Sequence, residues 1–347
     1  MDTLRCNPNG FDVDTTTFTD LRFSLLNDWQ RDFPLVAEPF AAIGTACHAT
    51  PDAVLGQYRE LLRGRAISRI GGVWGAGVGG AGMLCALAVP KHRLEAVAAL
   101  VSAHPGVNHN YEREHEINLW FVITGRDLES ITQAVDDIEQ QTGLSVLRLR
   151  MKRAYRIDLG FDLRAELAVA GQAHPAHAAP VDVADAPLAA LLEDGLPLLH
   201  RAFDAWSQAL KQPREAVLGT LQRWLRSGTL RRFGVVVRHR EAGFAHNAMT
   251  VFDVPDALVD ECGAALASQR GVTLAYRRER ADGWPYNLYC MVHGRDRGAV
   301  RSAIDIAVAR CRLYEHPREV LFSTRRFKQT GARYFGARPE SVPHANA

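Results

Sequence analysis

The stretch FPLVAEPFAAIGTACHATPDAVLGQYRELLRGRAISRIGGVW, residues 33–74, returns as LPLLHRAFDAWSQALKQPREAVLGTLQRWLRSGTLRRFGVVV at residues 196–237. Phe40 matches Phe203, Ala53-Val54-Leu55 matches Ala216-Val217-Leu218, and Arg69-Ile70-Gly71 matches Arg232-Phe233-Gly234, each pair 163 apart (203 − 40, 216 − 53, 232 − 69). Further on, Val89-Pro90 matches Val254-Pro255 and Gly106-Val107 matches Gly271-Val272 at 165 (254 − 89, 271 − 106), and Asn118-Leu119 matches Asn287-Leu288 at 169 (287 − 118). The offset changes only between Val73 and Val89 and around Ala281 to Trp284, where the composition reads as loop. A duplicated fold behaves this way.

Within one copy, apolar residues recur at helical spacing over 40–45 and 51–62, with Thr50 placed to cap the second helix and Pro51 in its first position. This predicts a helix-turn-helix, repeated at 203–210 and 213–225, where Ser227-Gly228 ends the second helix. Strands are expected over 67–74 and 83–89, forming a long hairpin, then a helix over 92–103, a hairpin from 106–111 and 118–124, a helix over 128–141 and a short strand over 145–152. With the first hairpin counted as the opening strand pair, the order is β-α-β-β-α-β, a ferredoxin-like sandwich. The fold class is therefore α+β, two tandem copies related by a pseudo-twofold. The expected boundaries are 22–70 and 71–164 for the two domains of copy one, 165–187 for an Ala/Pro-rich linker, and 188–233 and 234–335 for copy two. Trp206 and Trp224 read as core.

The chain has 347 residues, 47% hydrophobic and 23% charged, as expected of a folded protein. Its 41 Lys plus Arg against 39 Asp plus Glu give a net charge of +2, with no general pull toward phosphate backbones. The six cysteines are scattered without a C-x-x-C or a signal peptide, which predicts reduced thiols and a cytoplasmic protein. No apolar run approaches the roughly 18 residues of a membrane span. Gly77-Val78-Gly79-Gly80-Ala81-Gly82 fits G-x-G-x-x-G but lacks a helix cap and a Walker lysine, so it reads as a hairpin tip. His174 and His177 lie in the linker with no partner ligands, and no metal site is expected from the protein alone.

His109-Asn110-Tyr111-Glu112-Arg113-Glu114-His115-Glu116-Ile117-Asn118-Leu119-Trp120-Phe121 resembles the H-N-Y-x-R-x-H-x-Y-N-L-W-F signature of the siroheme decarboxylases, with Ile117 in place of the usual tyrosine. In copy two, the run from Arg231 to Arg240, Tyr276-Arg277-Arg278, and Trp284-Pro285-Tyr286-Asn287-Leu288 are similar to the same family. The layout looks like the Lrp/AsnC regulators, a winged helix-turn-helix joined to a ferredoxin-like domain, and the single chain is like the fused decarboxylase of heme d1 biosynthesis. The resemblance spans about residues 22 to 335. It implies that siroheme loses the carboxyl groups of its C12 and C18 acetates to give 12,18-didecarboxysiroheme. It implies no organic cofactor, iron carried by the substrate, siroheme and its decarboxylated products as ligands, and related helper proteins as partners.

Siroheme's carboxylates ring a flat apolar macrocycle, so a site needs cations at the rim and aromatic walls over the faces. Arg113, Arg231, Arg232, Arg238, Arg240, Arg277 and Arg278 are candidate carboxylate binders, and Trp120, Trp284 and Tyr286 candidate walls. Decarboxylation leaves electron density on a methylene carbon, which a positioned acid must protonate. His109, His115, His239 and His246 are candidates, with Tyr111 and Tyr276, and one histidine is alternatively a ligand of the substrate iron. Arg238-His239-Arg240 and His246 fall where copy one has a glycine run, whereas His115 of copy one stands opposite Arg280. One functional site combining both halves is expected, the other pseudo-equivalent site being impaired. The alternatives are a DNA-binding Lrp/AsnC regulator, for which the second helices offer little beyond Arg214, Gln222 and Arg223, and a noncatalytic porphyrin sensor.

Overall fold

The computed structural model describes residues 21–75, 77–157, 160, 162–165, 178–238 and 240–335. His239 and the linker histidines His174 and His177 lie outside the described residues.

A short helix α1 (Leu21–Asn27) precedes the helix-turn-helix of α2 (Pro39–Ala46) and α3 (Pro51–Arg63). Thr50 caps α3 by accepting from the Ala53 amide at 3.2 Å, with Pro51 in the first turn, where its missing N–H costs nothing. The turn is tight enough that a Cβ on Gly44 would lie 2.6 Å from the Ala49 carbonyl.

After α3 comes strand β1 (Ile67–Trp74), then β2 (Ala81–Leu87), helix α4 (Leu94–Ala103), β3 (Val107–Arg113), β4 (Leu119–Gly125), α5 (Leu128–Thr142) and β5 (Leu147–Ile157). Copy two repeats the series as α6 (Ala186–Asp194), α7 (Ala202–Leu210), α8 (Arg214–Ser227), β6 (Leu230–Val237), β7 (His246–Phe252), α9 (Val259–Ala267), β8 (Val272–Arg278), β9 (Leu288–Gly294), α10 (Arg297–Arg310) and β10 (Arg318–Gln329). Equivalent strands begin 163, 165 and 169 residues apart (230 − 67, 246 − 81, 288 − 119), the offsets of the sequence repeat.

The expected opening hairpin does not form. β1 pairs instead with β6 of the other copy, antiparallel, with Gly71 opposite Gly234. The reason is packing on both faces. The glycines let the turn after α1 and helix α6 press on the ribbon, so that a Cβ on Gly234 would meet the Trp29 carbonyl at 2.4 Å and one on Gly72 the Leu192 side chain at 2.5 Å. Pairing like with like then places both helix-turn-helix units on one apolar core, where Phe33 of copy one meets Phe233 of copy two edge-on at 5.7 Å. Trp206 and Trp224 belong to that core.

The remaining strands run β3-β4-β2-β5 in copy one and β8-β9-β7-β10 in copy two, each a ferredoxin-like sheet, with β3 joined to β10 and β5 to β8 in a closed eight-stranded barrel. Closure explains why β5 extends to Ile157, past the expected end near Lys152: its second half is paired with β8. Helices α4 and α5 cover one sheet over Val97, Phe121 and Ile138, and α9 and α10 cover the other over Leu266, Val292 and Ile304.

The recurring Asn-Leu and Val-Pro pairs have a common function. Asn118 accepts from the Val89 amide and donates to the Val89 carbonyl, both at 2.9 Å, and Asn287 does the same to Val254 at 3.0 and 2.8 Å. Each side-chain amide thus pairs with a backbone amide where a strand ends. Replacing Asn287 with Ala strands two buried backbone groups, so Asn287→Ala is expected to lose about 1–3 kcal/mol in urea unfolding, with Asn118→Ala in the same range.

Candidate active site

One end of the barrel is sealed and the other opens toward the β1–β6 ribbon. At the sealed end Trp284 packs on Trp120 at 5.3 Å and on Tyr286 at 4.8 Å, and donates Nε1–H to the Tyr289 hydroxyl at 2.7 Å. Between this floor and the ribbon lies a cavity of about 610 Å³ with walls from both copies.

The strands that shape it share an irregularity. β3 slips register against β4 between Val107 and His109, and β8 slips against β9 between Val272 and Leu274, at equivalent points of the repeat. Such a bulge re-aims the side chains beside it. In copy one it brings Asn108 and His109 together to the cavity. The His109 Nδ1 lies 2.6 Å from the Asn108 Oδ1, and an amide oxygen only accepts, so Nδ1 carries the proton of the neutral ring and Nε2 keeps its lone pair. Burial pushes His109 down from 6.5 to about 4.

Beyond His109 the wall continues through Tyr111 and Arg113, and in copy two through Tyr276 and Arg278. The Arg113 guanidinium stands 5.8 Å from the Tyr111 ring centre and that of Arg278 5.1 Å from Tyr276. Arg113 donates to the Leu321 carbonyl of β10 and Arg278 to the Leu149 carbonyl of β5, both at 3.0 Å, so each reaches across to the other copy. Neither has a carboxylate within ion-pair distance among the described residues, and the Nε of each is buried without a hydrogen-bond partner. Burial lowers both guanidinium pKa values, that of Arg113 to about 10, which leaves them charged at neutral pH. The two tyrosine hydroxyls are held protonated by the same burial, that of Tyr276 pushed up to about 12.

Arg69, Arg232 and Arg238 add cations from the ribbon side, and Arg150, Lys152 and Arg153 from the exposed stretch of β5. Arg153 also pairs with Asp260 at 3.0 Å. Among the described residues lining the cavity there are thus eight cationic side chains and no carboxylate.

Of the residues expected from sequence, His109, Tyr111, Tyr276, Arg113, Arg232, Arg238, Arg278 and Trp120 come together at this cavity. Others do not reach it. His115 sits at the sealed end, edge-on to Trp284 at 5.4 Å, its Nδ1 accepting from the Ile117 amide at 3.0 Å; Trp284 and Tyr286 belong to the same cluster. His246 is exposed, because on β7 it alternates with Asn247 and Met249, which face the cavity. Arg231 is set on the opposite face of β6 from Arg232, Arg240 is exposed in the following turn, and Arg277 faces outward to pair with Asp256 at 3.2 Å. Missed by the sequence reading were Arg69, Trp74, Arg150, Lys152, Arg153, Tyr289, His293 and Tyr334. Arg69 was recoverable as the repeat mate of Arg232, and His293 as that of Thr124. Tyr334 was not, because it arrives on a segment after β10 whose Tyr334 and Phe335 amides donate to Glu193 at 2.8 and 3.2 Å.

The sequence matches the AsnC-like ligand binding domain over residues 77–156 and 241–328, and the siroheme decarboxylase NirDL-like helix-turn-helix domain over residues 24–67. It is 40% identical over 317 residues to the siroheme decarboxylase NirDL subunit of Paracoccus denitrificans, an alignment covering 91% of this chain and 98% of that one. The chain belongs to the siroheme decarboxylase family. The fold agrees: the crystal structure of the siroheme decarboxylase NirDL in co-complex with an iron-uroporphyrin III analogue superposes with a TM-score of 0.63 at 26% identity, over 91% of this chain and 95% of that one. The family also has half-length members. The siroheme decarboxylase NirL subunit of Stutzerimonas stutzeri is 48% identical over 145 residues, 42% of this chain and 85% of that subunit. Among the described residues no cluster of three or more His, Cys, Asp or Glu is placed to hold a metal, and no helix is long and apolar enough to cross a membrane.

Because the folded chain holds His109 neutral, protons bind first to the unfolded chain. The stability this group confers is full above about pH 6.5 and is lost as pH falls toward about 4. The thermal midpoint should therefore fall between about pH 7.5 and about pH 5, and His109→Gln should shrink that difference.

Proposed function

We propose that this cavity binds siroheme and that the chain removes the carboxyl groups of its C12 and C18 acetates, giving 12,18-didecarboxysiroheme in heme d1 biosynthesis. The observation that carries this reading is that, among the described residues, eight cationic side chains and no carboxylate line a cavity of about 610 Å³, Arg153 of the eight being paired with Asp260 behind the wall. A small-molecule pocket has about this volume, but such a charge excess is unfavourable unless a polyanion enters. Siroheme's eight carboxylates are such a polyanion, and Trp120, Tyr289 and Trp74 supply walls for its faces.

In each decarboxylation the bond between methylene and carboxylate carbons breaks, CO2 leaves, and the electron pair remains on a carbon conjugated with the macrocycle. No organic cofactor is needed as electron sink, and the iron is part of the substrate. The chain's own residues position and protonate. Arg113 and Arg278, held by carbonyls of the opposite copy, bind carboxylates that do not react. Tyr111 and Tyr276, kept as neutral hydroxyls, donate hydrogen bonds near them. His109, held neutral by burial, gains a proton when the substrate's carboxylates arrive, since nearby anions favour the charged ring, and delivers it to a methylene carbon. The half-length relatives support the further reading that related subunits accompany this chain.

A DNA-binding role has less to stand on. Arg214 is already paired with Asp204 at 3.0 Å and Glu215 at 2.9 Å, and Arg223 with Asp185 at 2.7 Å.

Anaerobic incubation with siroheme, followed by mass spectrometry, should show loss of one and then two CO2. Bound but unaltered siroheme would leave a porphyrin sensor. Arg113→Gln and Arg278→Gln should each weaken siroheme binding by about tenfold or more, as expected for a lost charge-assisted contact.

A further inference from the structure

The cavity walls come in pairs. Arg69 and Arg232 (232 − 69 = 163), Tyr111 and Tyr276 (276 − 111 = 165), and Trp120 and Tyr289 (289 − 120 = 169) are repeat mates, and all line the one cavity. Arg113 and Arg278 cross to carbonyls of the opposite copy at the same distance, 3.0 Å. The pseudo-twofold axis therefore runs through the cavity. It does not divide two separate sites.

Siroheme has a matching symmetry on its reacting side. Rings C and D each carry one acetate and one propionate, and a half-turn about the axis that lies in the macrocycle plane and passes through the carbon bridging those two rings exchanges the C12 acetate with the C18 acetate. A macrocycle seated on the protein's axis thus presents one acetate to each copy.

The copies meet the two acetates with different residues but the same device. In copy one the imidazole is His109 on β3, opposite Leu274 in the repeat; in copy two it is His293 on β9, opposite Thr124 (274 − 109 = 165, 293 − 124 = 169). Each is oriented through Nδ1 by the residue at the shared bulge. Asn108 accepts from His109 at 2.6 Å. Its repeat mate Thr273 (273 − 108 = 165) donates its hydroxyl proton to the Met291 carbonyl at 3.1 Å, so its oxygen accepts from the His293 Nδ1 at 2.8 Å. Two imidazoles in the same tautomer, one from each copy, face one cavity.

On the reading that siroheme is the substrate, we propose that one macrocycle lies on the pseudo-twofold axis and loses both carboxyl groups in a single residence, His109 protonating the carbon left at one acetate and His293 that at the other. At each end a carbon–carbon bond breaks, CO2 departs, the electron pair left on the methylene takes the imidazolium proton to form a methyl group, and water restores the imidazolium. Iron keeps its oxidation state. Each loss removes one negative charge facing an unchanged set of cations, so the twice-decarboxylated product is held most weakly and is the species released.

The test is a trap experiment. Titration of the full chain with siroheme, followed by absorbance, should saturate at one macrocycle per chain; two equal sites would overturn the proposal. The loaded chain is then chased with excess iron-uroporphyrin III to fill any cavity that empties, and filtrate and protein fractions are analysed by mass spectrometry over time. Didecarboxysiroheme should still form in full yield, with the singly decarboxylated species found only in the protein fraction. Its accumulation in the filtrate would contradict a single residence. His293→Gln should stop at the singly decarboxylated macrocycle, and undiminished didecarboxysiroheme from that variant would remove His293 from the scheme. Siroheme bound to the parent chain without any CO2 loss would instead overturn the substrate reading itself.

Discussion

Two backbone ladders between the copies, β3 with β10 and β5 with β8, are the constraint on which everything else rests. A lone ferredoxin-like sheet leaves both edge strands with unpaired N–H and C=O groups, and the inner face of each sheet exposed. Joining two such sheets edge to edge removes all four edges and turns the inner faces toward each other. The β1–β6 ribbon continues this pairing above the barrel, welding the helix-turn-helix units into one core. The cavity is what remains between ribbon and barrel, so it exists only because both copies are present.

That origin explains its chemistry. Guanidinium groups such as Arg113 and Arg278 are desolvated by the barrel and anchored on carbonyls, not on carboxylates. A buried cation without a counterion costs stability, and the cost is recovered when a ligand brings the missing charge. Among the described residues no carboxylate lines the cavity, but carboxylates lie just behind it, in Glu193 under Tyr334 and in Asp260 beside Arg153. The fold thus keeps its attraction for anions concentrated where the macrocycle is proposed to lie.

Much of this was legible in the sequence. The repeat offsets, the capped helix at Thr50 and Pro51, and the strand and helix order of each copy follow from local periodicity and turn chemistry. What local pattern could not supply was partner choice: Ile67–Trp74 reads as a strand with nothing in it to name its partner, and only the ribbon's two-sided packing sends it to β6. The same limit applied to the site. Residues on β3 and β8 were found because a signature marks them, whereas His115 and Trp284 belong to the same matched segments yet fold to the sealed end of the barrel. Arg150 and Lys152 carry no motif and become site residues only when barrel closure is known. Comparing repeat mates would have found Arg69 through its identity with Arg232, and His293 through its difference from Thr124, where one copy has specialised.

The most direct test of the central claim is a structure of this chain with siroheme bound under anaerobic conditions. The account predicts one macrocycle between the β1–β6 ribbon and the floor of Trp120 and Tyr289, with carboxylates on Arg113 and Arg278. A macrocycle bound outside the barrel, or two macrocycles each held by a single copy, would contradict it.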